Sequence, residues 1–256
     1  TIVYRIYQLS SLDQKQKIHY KDYTLDVLEG VPTNAYNQSA FVKNGSIMTY
    51  NDPNMRTRVG IDVSQYQGDV DWEAVARTEV DFVIARVGGR GYTAGAIYED
   101  SRFDEYADGA DRAGLQVGAY FFSQAISVEE AEEEAYFVLD KLRGHNITGP
   151  VVFDWEVIGK SEARTYGIET GVLCAAANAF CEIIEDAGYD AMIYITDYAG
   201  YVKYDLSKVM DYPLWYARYD VSAPTFYYDF AMWQYSSKGS VDGIKGNVDM
   251  DIWFIK

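Results

Sequence analysis

The sequence predicts an α/β fold: an irregular TIM-like β/α barrel of eight strands with an incomplete helical ring, preceded by a small β-rich extension. Three observations lead there. From Val59 onward, short β-branched and aromatic runs alternate with helical stretches, the pattern of βαβ units and a parallel sheet. Eight such runs can be counted, but long helices follow only the first four. No G-x-G-x-x-G fingerprint follows the first run, which removes the main reason to prefer an open dinucleotide-binding sheet.

In order, the strand candidates are "VGIDVSQ", "VDFVIARVG", "LQVGAYFFS", "GPVVFDWE", "DAMIYIT", "PLWYARY", "FAMWQYS" and "GNVDMDIWF". The helical candidates between the early ones are "DWEAVARTE", "YEDSRFDEYADGADRAG", the glutamate-rich segment from Ser127 and "GIETGVLCAAANAFCEIIEDAG". "YDLSKVMD" predicts a weak fifth helix, and short connections join the last three strands. Residues 1–57 have a different texture. "TIVYRIYQLSS", "KIHYKDYTLDVLEG" and "SAFVKNGSIMTY" are short β-prone runs between polar turns, and "NDPNMRTR" reads as a linker. Two domains follow, an extension over 1–57 and a barrel over 58–256. The extension is compatible with a binding module, a spacer or a cover for part of the barrel.

Composition narrows the partners. The formal charge of −17 argues against nucleic acid or an anionic membrane as the main partner, since both require concentrated positive charge. The densest acidic stretch, "SVEEAEEEAYFVLDKLRG", has its glutamates at the start of a helix, where they suit the dipole and a solvated face. Cys174 and Cys181 share one helix about 10 Å apart, too far to bridge. His19 and His145 stand near no ligand cluster, which argues against a structural zinc site; the expectation is a protein with no metal and no cofactor. No apolar stretch in the sequence is long enough to span a bilayer, and residues 1–256 contain no signal-peptide pattern, which says nothing of a precursor. A start at Thr1 fits a trimmed mature form or an excised fragment. The oligomeric state is not written in the sequence.

The acids fall at telling places. Asp62 lies in the first strand, Asp154 and Glu156 end the fourth, and Asp249 lies in the eighth. Residues two apart on a strand share a face, so Val152, Asp154 and Glu156 point one way, and Phe153 and Trp155 the other. On closure, strands one and eight are neighbours, with strand four across the mouth, so four acids distant in sequence can meet at the rim where β/α barrels carry their sites. Crowded carboxylates keep a proton that an isolated one would lose. A protonated acid beside an ionised one is equipment for cleaving a glycosidic bond. Turn-capping or edge-strand acids, and an oxygen site for Mg²⁺ or Ca²⁺, are the competing readings.

Taken together, "GIDVSQYQGDVDW", "DFVIARVGGRGY", "GAYFFSQA", "VVFDWE", "LWYARY", "MWQYS" and "GNVDMDIWF" resemble the glycoside hydrolase family 25 lysozymes, the Chalaropsis-type N-acetylmuramidases, over roughly residues 59–256. The resemblance implies a proton donor at Glu156, a partner at Asp154, and further rim acids at Asp62 and Asp249. Asp251 stands where the family often has asparagine, which leaves open which of Asp249 and Asp251 faces the site. The implied reaction is hydrolysis of the β-1,4 bond between N-acetylmuramic acid and N-acetylglucosamine in peptidoglycan, with net retention and assistance from the substrate's acetamido group. The implied setting is secreted or cell-wall associated, in bacteria.

Aromatic side chains are frequent, with 24 Tyr and 5 Trp. Tyr66, Tyr92, Tyr120, Tyr194, Trp215 and Trp233 fall at or past strand ends, where rings stack on sugars, although core packing explains some of them equally well. Arg86, Gln234 and Asp251 complete the candidate substrate contacts. A hydrolase of other N-acetylglucosamine chains is one alternative, though the D-G-x-D run of chitinases is missing before "VVFDWE". A non-catalytic cell-wall glycan binder is the other.

Overall fold

The computed structural model describes residues 16–255; the run "TIVYRIYQLSS" lies outside them. The chain first makes two hairpins. β1 (Lys17–Tyr20) pairs with β2 (Tyr23–Asp26), and β3 (Phe41–Asn44) pairs with β4 (Ile47–Tyr50), both antiparallel. Gly45, at φ 60°, takes the left-handed position of the second turn, which a side chain would strain.

The barrel begins inside the stretch read as a linker, with β5 (Arg56–Val63). It continues through β6 (Phe82–Arg90), a short hairpin partner β7 (Ile97–Glu99) and β8 (Gln116–Ser123). β9 (Val151–Trp155), β10 (Ala191–Thr196), β11 (Leu214–Ala217), β12 (Met232–Gly239) and β13 (Val248–Ile255) complete it. The order β5-β6-β8-β9-β10-β11-β12-β13 returns to β5, so eight strands close on themselves. Four α-helices accompany them among the described residues: α1 (Trp72–Ala76), α2 (Phe103–Arg112), α3 (Val128–Leu142) and α4 (Thr170–Asp186). The expected fifth helix is only a 3₁₀ turn over Leu206–Lys208. Asp71 and Ser127 cap α1 and α3 by accepting from the backbone N–H groups of Ala74 and Glu130.

The expected parallel sheet needs one correction. β13 runs antiparallel to both β12 and β5. The connection over 240–247 is shorter than the dozen or so residues a parallel crossover requires. The N-terminal start of β13 therefore sits level with the carboxyl ends of the other strands, and Asp249 pairs with Asp62.

Alternation sorts the strands into two packing layers. Phe82, Ile84, Val152, Met192, Trp215 and Met232 fill the barrel interior. Val83, Ala85, Val151, Phe153 and Ile193 face outward into the main core. Phe153 meets Phe180 of α4 at 5.3 Å between ring centroids. At the floor, the ring of Phe82 occupies the space over Gly60, where a Cβ would lie 2.2 Å from it.

No α-helix follows β11 or β12, and the extension covers their outer faces. Tyr36, Phe41, Met48 and Tyr50 join the same core as the barrel. The Tyr36 ring lies 4.1 Å from that of Phe254, and its hydroxyl donates to the Phe230 carbonyl at 2.6 Å. Phe41 packs edge-on against Trp233 at 5.4 Å.

Candidate active site

Asp62, Asp154, Glu156 and Asp249 line one cavity of about 130 Å³. Tyr120, Tyr194, Trp215, Tyr219 and Gln234 complete its wall. Each acid arrives by the same rule. Asp62 alternates with outward Ile61 and Val63, and Asp154 with outward Phe153 and Trp155. Asp249 alternates with Val248 and Met250.

Gln234 organises the cluster. Its amide nitrogen donates to Asp62 Oδ2 at 2.7 Å and to Asp249 Oδ2 at 3.4 Å. Its amide oxygen accepts from the hydroxyls of Tyr219 at 2.5 Å and Tyr194 at 3.1 Å. Both ends of the amide are therefore used, which fixes its orientation.

Burial raises every acid here above the ordinary carboxylate range, and neighbouring charge adds to it. Asp62 is lifted by burial, then by the charges of Asp251 and Asp249, against a bond from Gln234. For Asp154 the causes are burial and the charge of Glu156, opposed by Arg86. Glu156 is raised by burial and by Asp249, and burial pushes Asp249 up to about 6. Asp154 is buried, and its Oδ1 has no hydrogen-bond partner in the fold. No group of three or more His, Cys, Asp or Glu among the described residues is arranged to hold a metal ion.

The remaining sequence candidates separate. Tyr120, Tyr194 and Trp215 line the cavity, with Trp215 edge-on to both tyrosines. Arg86 stands beside Asp154, bonded through Nε to Asp100 at 2.8 Å, with its guanidinium 5.2 Å from the exposed ring of Tyr66. Tyr92 is not in the cavity wall; Lys160 Nζ lies 5.1 Å from its ring centroid. Two expectations are corrected. Trp233 faces outward beneath the extension, fully buried, its indole N–H donating to the Arg218 carbonyl, and so has no path to a ligand. Asp251 shares the inward face of Asp249 but lies deeper, opposite Gly60. It is fully buried, accepts from Trp215 Nε1 at 2.8 Å, and supports the floor rather than contacting a substrate. Tyr219 was missed, although alternation from Trp215 through Ala217 sets it on the inner face.

The fold and this cavity define a class: β/α barrels whose converging carboxylates sit at the rim formed by the carboxyl ends of the parallel strands. The chain belongs to glycosyl hydrolases family 25, whose model matches residues 61–244. It is 32% identical over 193 residues to the autolytic lysozyme of Clostridium acetobutylicum, covering 75% of this chain and 54% of that protein. To lysozyme M1 of Streptomyces globisporus it is 31% identical over 201 residues, covering 74% of this chain and 65% of that one. The chain thus spans about half to two thirds of the length of these relatives. The bacterial lysozyme of Streptomyces coelicolor superposes with a TM-score of 0.62 at 28% identity, over 76% of this chain and 90% of that one. The modular autolysin LytC of Streptococcus pneumoniae, in complex with a synthetic peptidoglycan ligand, shares the fold over 94% of this chain and 52% of its own. There the TM-score is 0.66 at 22% identity.

Proposed function

We propose that this chain is a peptidoglycan N-acetylmuramidase that hydrolyses the β-1,4 bond between N-acetylmuramic acid and N-acetylglucosamine. The observation that carries the reading is the placement of Asp154 on β9 and Glu156 just past its end, both lining an acid-rich cavity that raises them above their ordinary range. Two family relatives are named lysozymes, which supports the same substrate class.

Glu156 is the general acid. Burial and the nearby charge of Asp249 keep it protonated, and it delivers that proton to the glycosidic oxygen as the bond breaks. The substrate's own 2-acetamido oxygen attacks the anomeric carbon, giving an oxazolinium-like intermediate with the leaving sugar released as an alcohol. Asp154 accepts a hydrogen bond from the acetamido N–H through its unpaired Oδ1 and balances the positive charge that develops. Glu156, now ionised, takes a proton from water, which opens the intermediate with net retention. Asp62 and Asp249 supply the crowding that holds protons in the cluster, and Gln234 fixes their positions. A cell-wall substrate sets the work outside the bacterial membrane, and no helix among the described residues is long and apolar enough to cross one.

Digestion of purified peptidoglycan, with identification of the new reducing end, tests the reading. The expected product ends in N-acetylmuramic acid. A product ending in N-acetylglucosamine, or no new reducing end, contradicts it.

A further inference from the structure

A second cavity, of about 450 Å³, is lined by residues that neighbour Glu156 in the chain, and the reaction above does not use it. Trp155 and Val157, the residues flanking Glu156 in the chain, form one side. Tyr166, which is 67% exposed, and Tyr198 contribute rings, and Lys160 and Lys203 contribute cations. No carboxylate lines it, in a chain whose formal charge is −17. Neither lysine is ion-paired among the described residues; Lys160 Nζ instead lies over the Tyr92 ring and within 3.3 Å of its hydroxyl. Tyr198 is braced from outside by Tyr23 of the extension, whose ring meets it edge-on at 6.2 Å.

Size and charge point to the occupant. The acid cavity, at about 130 Å³, is small beside the several hundred Å³ of pockets that bury a whole ligand. Each rim acid that ionises makes the catalytic mouth less favourable for an anionic substrate unless cations stand near it. Peptidoglycan brings such anions, because the lactyl ether of its muramic acid carries a short peptide with free carboxylates. Resting on the muramidase reading, we infer that the Lys160–Lys203 cavity binds the carboxylate-bearing stem peptide of the substrate and so selects peptide-substituted glycan over bare glycan. The two ammonium groups pair with the peptide carboxylates, while Tyr166 and Tyr198 cover its apolar atoms.

The test compares glycan oligomers of equal length with and without stem peptides. Binding is measured on the Glu156→Gln protein and turnover on the otherwise unchanged protein, at low salt. Peptide-bearing chains should bind about tenfold tighter, the sum of two partly exposed charge pairs. Lys160→Ala with Lys203→Ala should abolish that difference, leaving affinity and turnover for bare chains unchanged. Lys160→Glu with Lys203→Glu should reverse the preference. Thermal melting of each variant verifies that it is folded. Equal affinity of the parent for the two chains overturns the inference, and so does an equal loss on both chains in the lysine variants. If the parent cleaves neither chain, the muramidase reading fails, while the ratio of the two affinities still decides for or against the peptide site.

Discussion

Gln234 shows how much of this site depends on a neutral side chain. It turns donors toward two acids and an acceptor toward two tyrosines, so no isosteric replacement serves both ends. Gln234→Glu removes the donors and adds a fifth carboxyl group to the cavity wall. Unfolding in urea should show a loss of about 1–3 kcal/mol, the cost of leaving buried polar groups unpaired, with turnover falling as well. An unchanged denaturation midpoint would contradict this role. The sequence carried part of the residue-level picture and obscured the rest. Alternation sets Asp154 and Glu156 together, and it also sets Trp233 opposite Gln234 on β12, so those two cannot both line one cavity. Asp251 obeys the inward rule yet lies one layer too deep, because alternation gives the face of a strand but not the depth along it.

Among the elements, β13 and the extension depart furthest from what patterning alone conveys. A buried strand reads as the same apolar run in either direction, so only the short connection before β13 signals that it runs antiparallel. The β-rich character of residues 17–50 was legible from their turns and β-branched runs. Their docking was not, because it depends on barrel strands far away in the chain. With no helix after β11 or β12, the extension covers the rings of Trp233 and Phe254. Tyr36 sits at the centre of that contact, 8% exposed. Tyr36→Ala should cost about 3–5 kcal/mol in chemical denaturation, the range for deleting a buried aromatic ring. A cost below about 1 kcal/mol would mean that the extension is not part of the barrel's core.

At the scale of the whole molecule, the acid cluster opposes stability as it equips the site. A carboxyl whose folded pKa is raised binds its proton more tightly in the folded state, so stability is highest while it is protonated and falls as pH rises through the window between its unfolded and folded values. For Asp249 that window runs from the ordinary carboxylate range to about 6, and Asp62, Asp154, Glu156 and Asp251 are displaced in the same direction. The melting temperature should therefore rise as pH is lowered from 7 toward 5, until other acids begin to titrate. Asp249→Asn should stabilise the protein at pH 7 by about 2 kcal/mol, or roughly 5 °C, and flatten the pH dependence. A melting temperature that falls steadily from pH 7 to 5 would mean that the cluster is ionised and compensated by cations.

The most direct test of the proposed chemistry is the rate at which the Glu156→Gln protein generates new reducing ends from defined peptidoglycan oligomers, measured beside a binding isotherm. Glutamine keeps the size and most of the hydrogen bonding of Glu156 but has no proton to give to the glycosidic oxygen. General acid catalysis contributes about a hundredfold to ten-thousandfold, so turnover should fall by at least the lower figure while affinity for the glycan stays nearly unchanged. Turnover by Glu156→Gln at the rate of the unaltered protein would reject Glu156 as the acid, and with it the mechanism proposed for this cavity.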